Sequence, residues 1–117
     1  MNIESLRTYC LGKPGATESF PFGEETLVFK VGGKIFALTS LDSNPLSINL
    51  KCDPEKAVDL REQYDAVRPG YHMNKTHWNT VLINGSIRES DLKSWIDHSY
   101  ELIVNRLPKA ARPALEK

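Results

Sequence analysis

A chain of 117 residues, 40% hydrophobic and 26% charged, has the make-up of one globular domain and excludes a disordered or fibrous protein. Fifteen basic residues balance fifteen acidic ones, so the totals do not announce a strongly basic nucleic-acid binder. No stretch approaches the ~18 apolar residues of a membrane span, the N-terminus lacks a signal-peptide run, and Cys10 and Cys52 stand apart without CxxC spacing, which predicts a cytoplasmic protein with reduced, buried thiols.

Asn2 is placed to cap a first helix over Ile3 to Leu11, with Ile3, Leu6 and Cys10 on one face and Gly12 as its stop. A short edge segment is expected around Glu18 to Phe22, where Pro21 keeps it out of a sheet centre. Thr26 to Val31 and Lys34 to Ser40 alternate about Gly32-Gly33, the signature of a two-residue hairpin turn. That turn sets a register in which Phe29 faces Phe36 and Leu27 faces Leu38. Those four residues then form one apolar face, and Val28, Lys30, Ile35, Ala37 and Thr39 form the other.

After a loop over 42–45, Leu46 to Lys51 alternates as a third strand, with Ser47, Asn49 and Lys51 outward. Asp53 caps the next helix, Pro54 takes its first position, and the helix is predicted to reach about Tyr64. Arg68-Pro69-Gly70 reads as a turn, Asn74 to Asn79 as a single helical turn, and Thr80 to Ile83 as a last strand ended by Asn84-Gly85. Ser86 and Glu89 have capping-box spacing, although the helix start could fall two or three residues later. The stripe Leu92, Trp95, Ile96, Ser99, Ile103, Leu107 carries that helix to about Arg106, and Pro108 ends it.

The order of elements predicts an α+β fold, an antiparallel sheet with helices packed on one face. The single domain covers 1–117, with 108–117 a loosely held tail. The other sheet face is expected to be polar and small-residue, carrying Lys30 and Lys51.

Charge is uneven along the chain. Residues 66–88 contain Arg68, Lys75 and Arg88 and no acid, whereas the helix of residues 53–65 holds Asp53, Glu55, Asp59, Glu62 and Asp65 against Lys56 and Arg61. Two readings stay open: acids that simply favour helix starts and solvated faces, or a molecule with a basic sheet side and an acidic helix side.

The stretch Val67–Val81 concentrates the unusual residues. His72 and His77 are five apart, which is wrong for two metal ligands on one helix face, and no cysteine or carboxylate accompanies them, so no metal and no cofactor is expected. Trp78 reads as a core tryptophan pinning the stretch onto the helices, with a base-stacking platform as the competing reading. Asn74-Lys75-Thr76 could donate to phosphates, and a solvated loop is the plain alternative. No nucleophile elbow, Cys-His pair or phosphate loop is present, so an enzyme is not expected.

Several segments together carry a resemblance. They are Lys13-Pro14-Gly15-Ala16, Phe22-Gly23, Phe29-Lys30-Val31 with Gly33-Lys34-Ile35-Phe36-Ala37, Leu50-Lys51 and Asp53-Pro54. To these are added Pro69-Gly70-Tyr71-His72-Met73-Asn74-Lys75 with His77-Trp78-Asn79, then Ser99-Tyr100 and Leu107-Pro108. In these the chain resembles the MmcQ/YjbR family over nearly its whole length. The resemblance implies a fold similar to the frataxin (CyaY-like) proteins and a non-enzymatic, DNA-binding role with a double-wing arrangement. Frataxin-like iron binding does not carry over, because the first helix holds only one acid, Glu4.

The candidate contacts are Lys30 and Lys34 on the hairpin, Lys51, Arg68 and Lys75, with His72 and Asn74 adding hydrogen bonds. Five neutralised phosphates would give a salt slope of roughly −4 to −5, and no recognition helix stands out, so backbone binding is expected over base readout. The alternative partner is another protein, docking on the open sheet face through Val28, Ile35, Ala37, Ser47 and Asn49; no membrane partner is expected.

Overall fold

The computed structural model describes residues 1–70 and 73–113. Helix α1 (Ile3–Leu11) leads into strands β1 (Ala16–Ser19), β2 (Thr26–Val31), β3 (Lys34–Ser40) and β4 (Ser47–Lys51). Helix α2 (Pro54–Gln63), strands β5 (Val67–Pro69) and β6 (Trp78–Leu82) and helix α3 (Glu89–Arg106) complete it. The strands form one sheet in the order β1-β2-β3-β4-β6-β5, antiparallel throughout. This is the α+β architecture that the alternation and helical stripes predict.

All three helices share one core. Leu6 and Cys10 of α1, Ala57 and Leu60 of α2, and Leu92, Trp95, Ile96 and Ile103 of α3 pack with Phe29, Phe36, Ile48, Leu50 and Val81 of the sheet. One cluster means one helix-covered face; the strands' other, open face carries no helix among the described residues, although Val28 on it is fully buried and Ser47 and Trp78 nearly so. At the start of α1 the Ser5 N–H donates to Asn2 Oδ1 at 2.8 Å while the Asn2 N–H donates to Ser5 Oγ at 2.9 Å, a reciprocal cap.

The hairpin departs from its predicted register. Val31 pairs with Lys34 and Lys30 with Ile35 as expected, but an extra residue enters β3, so Phe29 pairs with Ala37, Val28 with Leu38 and Leu27 with Thr39. A β-bulge places two consecutive residues opposite one partner, and here Phe36 and Ala37 both turn to the helices. Leu38 therefore moves to the open face, and Ala37 and Thr39 move to the covered one. Phe29 and Phe36 still meet, with ring centroids 6.4 Å apart.

Other boundaries also shift. The first edge strand is Ala16–Ser19, earlier than 18–22. Val67–Pro69 is a strand where turn chemistry was expected; it lies at the sheet's other edge, the place a strand proline can occupy. Trp78 already belongs to the last strand, so the helical turn shrinks to a bend closed by His77 N–H on the Asn74 carbonyl at 3.2 Å. Helix α3 starts at Glu89, the later of the starts the sequence allowed, with Ser86 engaged by the Asn84 side chain instead of capping.

The β3–β4 ladder is short, with only Ala37–Leu50 and Leu38–Asn49 paired. Beyond it the strands splay, and Ser99 of α3 fills the gap. Its Oγ accepts from the Lys51 N–H at 2.9 Å and donates to the Phe36 carbonyl at 2.5 Å. After α3 the chain folds back over the hairpin turn: Leu107 lies so close to Gly32 that a Cβ there would sit 2.5 Å from its Cδ1. Arg112 Nε donates to the Leu107 carbonyl at 3.0 Å, and Pro113 packs on Gly15, so residues 107–113 are docked.

Candidate nucleic-acid interface

Strand directions decide which connections share an end of the sheet. β2 runs toward the Gly32-Gly33 turn, and β4, antiparallel to β3, runs the same way, so Lys51 ends at that side. β6 is antiparallel to β4 and begins there at Trp78, and β5 runs up to it. The β2–β3 turn and the β5–β6 connection are thus two tips on one end, separated by three strand spacings, about 14 Å. Helix α3 also finishes there, since Leu107 contacts Gly32.

Lys51 stands between the tips. Burial, then the Arg106 guanidinium, then the Lys34 ammonium hold its pKa below the usual lysine value. Lys51 therefore lies close enough to Arg106 and to Lys34 to be repelled by each, and none of the three has an ion-pair partner among the described residues. An anion delivered to this end would relieve that repulsion.

The second tip is built by Arg61 of α2. Its Nε donates to Asn79 Oδ1 at 2.6 Å, its Nη2 donates to the Lys75 carbonyl, and a longer contact of 3.4 Å reaches the Trp78 carbonyl. Asn79 completes the clamp by donating its Nδ2 to the Ala57 carbonyl at 3.3 Å. The tip is thereby tied to a helix, and Lys75 is exposed upon it. Asn74 spends its Oδ1 on the Thr76 N–H at 2.8 Å, so its side chain shapes the turn.

The candidate contacts therefore divide. Lys34, Lys51, Asn74 and Lys75 lie at the end of the sheet carrying the tips. Lys30 lies just behind the first tip, on the open face, paired with Ile35. Arg68 does not join them: it pairs with Thr80 on the outermost strand, four strand spacings or about 19 Å from β2, and its Nε donates to the Asp65 carbonyl. His72 falls outside the described residues. Arg106 joins them beside Lys51; in the sequence it reads only as a helix end, and nothing local marks where that end arrives.

Trp78 is buried, as a core tryptophan would be, but not against the helices. Val81 and Asn79 of its strand face the helices, so alternation puts Trp78 with Thr80 on the open side, its Cβ close beside Gly70. The remaining histidine, His98, accepts the Asp53 N–H on Nε2 at 3.2 Å. Burial first, then Lys56, pushes its pKa below the usual value. Both cysteines are free and buried, and burial pushes the Cys10 thiol up to about 12 and raises that of Cys52. Thiols held in that state are poor nucleophiles. Among the described residues no helix is long and apolar enough to cross a membrane.

The opposite end carries Glu24 and Glu25 before β2, Asp42 after β3, and, at the start of α3, Glu89 and Asp91, which pair with Lys93 and Arg88 respectively.

Comparison with known proteins bears on this geometry. The YjbR family model matches residues 11–102. The Escherichia coli (strain K12) protein YjbR is 39% identical over 115 residues, 98% of each chain, and YbdF of Escherichia coli O157:H7 is 42% identical over 106 residues, covering 91% of this chain and 87% of that protein. Each carries the name uncharacterized protein. The crystal structure of the Deinococcus radiodurans protein DR2400, a DUF419 domain, superposes with a TM-score of 0.89 at 39% identity over 94% of this chain and 84% of its own. A Pseudomonas syringae crystal structure gives 0.77 at 29% identity over 88% and 99%.

Proposed function

We propose, for a chain that belongs to the YjbR family, a role in binding duplex DNA through its phosphate backbone, by contact and without catalysis, in the cytoplasm. The observation that carries this reading is the pair of tips at one end of the sheet with Lys51 between them. The two tips, which carry Lys34 and Lys75, are three strand spacings or about 14 Å apart, comparable with the roughly 12 Å width of the major groove. Two tips at that separation suit phosphates on either side of a groove, and they are the two wings of a double-wing arrangement. Lys51 and Arg106 supply charge between and beside them, and Lys30 flanks the first tip. Phosphates would offset the repulsion that Lys51 meets from Arg106 and Lys34.

Contacts of this kind position a duplex without reading its sequence, because both tips present charge to the phosphates. Titration of a labelled random duplex by anisotropy across a salt series tests the proposal. Lys30, Lys34, Lys51, Lys75 and Arg106 together give a log–log slope of about −4.5. The double variant Lys34→Glu/Lys75→Glu, with one change on each tip, lowers that magnitude by about 2 and weakens binding to any sequence alike, while Arg68→Glu changes little. No binding at low salt, or a double variant that binds like the parent, would end the proposal.

A further inference from the structure

Three of the four large apolar side chains left exposed among the described residues lie at the end of the sheet away from the tips: Phe20, Phe22 and Leu41. Phe22 is the most exposed of them, at 66%. It is held there by the backbone, because Pro21 and Phe22 form the corner of a turn closed by the Gly23 N–H on the Phe20 carbonyl at 3.4 Å. The β1–β2 and β3–β4 connections run side by side, and the Leu41 N–H donates to the Glu25 carbonyl at 2.7 Å. Beyond Leu41 a groove of about 580 Å³ opens between the start of α1 and the β3–β4 connection, lined by Met1, Ile3, Leu41 and Leu46 with Asn2. That is ample for an apolar side chain of a partner.

Acids border these apolar groups. Glu24, Glu25 and Asp42 are exposed, and none has an ion-pair partner among the described residues. Asp42 accepts from Ser40 Oγ at 2.5 Å, and it raises the Glu25 carboxyl, first through a side-chain hydrogen bond and then through its charge. Two carboxyl groups thus touch with no cation between them, and Glu24, Glu25 and Phe22 line one concavity.

We propose that this end of the molecule docks an arginine-bearing segment of another protein, with an apolar side chain of that segment in the groove beside Leu41 and the guanidinium between the Phe22 ring and the Glu25–Asp42 pair. A guanidinium suits all of these neighbours at once: it stacks on an aromatic face and bonds carboxylates through a planar fork, which an ammonium does not. Its charge offsets the repulsion of the two acids. The same acids repel a duplex or an anionic bilayer, so charge selects a basic polypeptide. The tips lie at the other end of the sheet, so this docking and the duplex contacts do not compete.

The test is a titration of the isotope-labelled full chain, without nucleic acid, with a peptide of alternating leucine and arginine, followed by amide shifts and by anisotropy of the dye-labelled peptide. Shifts are expected over residues 20–26, 40–46 and 1–3, and not over 32–34. Phe22→Ser and Leu41→Ser each weaken binding about tenfold, lysine in place of arginine in the peptide weakens it less, and glutamate abolishes it. The double variant Glu25→Lys/Asp42→Lys reverses the preference and takes the glutamate peptide. Each substitution is on an exposed residue, and melting curves confirm that every variant is folded. Absence of shifts, shifts centred on the tips, or an affinity indifferent to Phe22→Ser would overturn the proposal. So would a self-association of the chain, or a capture by phosphatidylglycerol vesicles, that Phe22→Ser removes, since the surface would then belong to a second copy or to a membrane. None of these results touches the duplex titration, so the two readings fail separately.

Discussion

Ser99 is the residue on which two parts of the molecule turn. In the sequence it occupies one place in an otherwise apolar helical stripe, and nothing distinguishes it from a tolerated small residue. In the fold it is fully buried and replaces the ladder bonds that β3 and β4 lose where they splay. Ser99→Ala leaves a buried carbonyl and a buried N–H unpaired, and an unsatisfied buried group costs about 1–3 kcal/mol. Urea unfolding should register a loss of that size, with Lys51 released from its fixed position and the salt slope for DNA reduced. Arg61 was equally hidden: a charged residue on an acidic helix reads as solvated, whereas its guanidinium gathers three acceptors that lie 14 to 18 positions further along the chain.

Elements were legible in proportion to how local their signals are. The cap at Asn2, the Gly32-Gly33 turn and the Asp53-Pro54 start all work through neighbours in sequence, and all are found where they were expected. The bulge in β3 was not legible, because alternation of apolar and polar residues carries no mark for an inserted position. Val67–Pro69 was missed for a related reason: its pairing partner, not its own composition, makes it a strand.

The contact between α3 and the start of α2 gives a pH dependence. His98 must be neutral to accept the Asp53 N–H, and its folded pKa is lowered from 6.5. The unfolded chain therefore binds the proton first as pH falls, so this contribution is complete above about 6.5 and is lost progressively below it. Melts from about pH 8 down to about pH 5 should show that slope in the parent and a shallower one in His98→Gln.

At the scale of the whole molecule, a net charge of zero conceals a gathering of cations at one end of the sheet. Local runs of charge were visible in the sequence, but their convergence needs the strand order, in which β6 lies beside β4, and the return of α3 to the hairpin turn. Helix α3 spans about 27 Å, with Glu89 and Asp91 in its first turn and Arg106 in its last, an arrangement that also suits its dipole. Lys51 is where the electrostatic cost concentrates, since it is partly buried beside two other cations. Lys51→Gln should therefore raise the melting temperature slightly while weakening duplex binding and lowering the magnitude of the salt slope by about 1, the trade-off expected of a residue kept for binding.

The chain's two tryptophans lie on opposite sides of the sheet, Trp95 edge-on to Tyr64 with ring centroids 5.2 Å apart in the helix-side core, and Trp78 on the other side next to the second tip. This separation makes the protein its own two-channel spectrometer. With Trp95→Phe, the remaining indole emission reports on the tip and the open face. With Trp78→Phe, it reports on the core alone, so events at the surface and loss of the fold can be followed without any added dye.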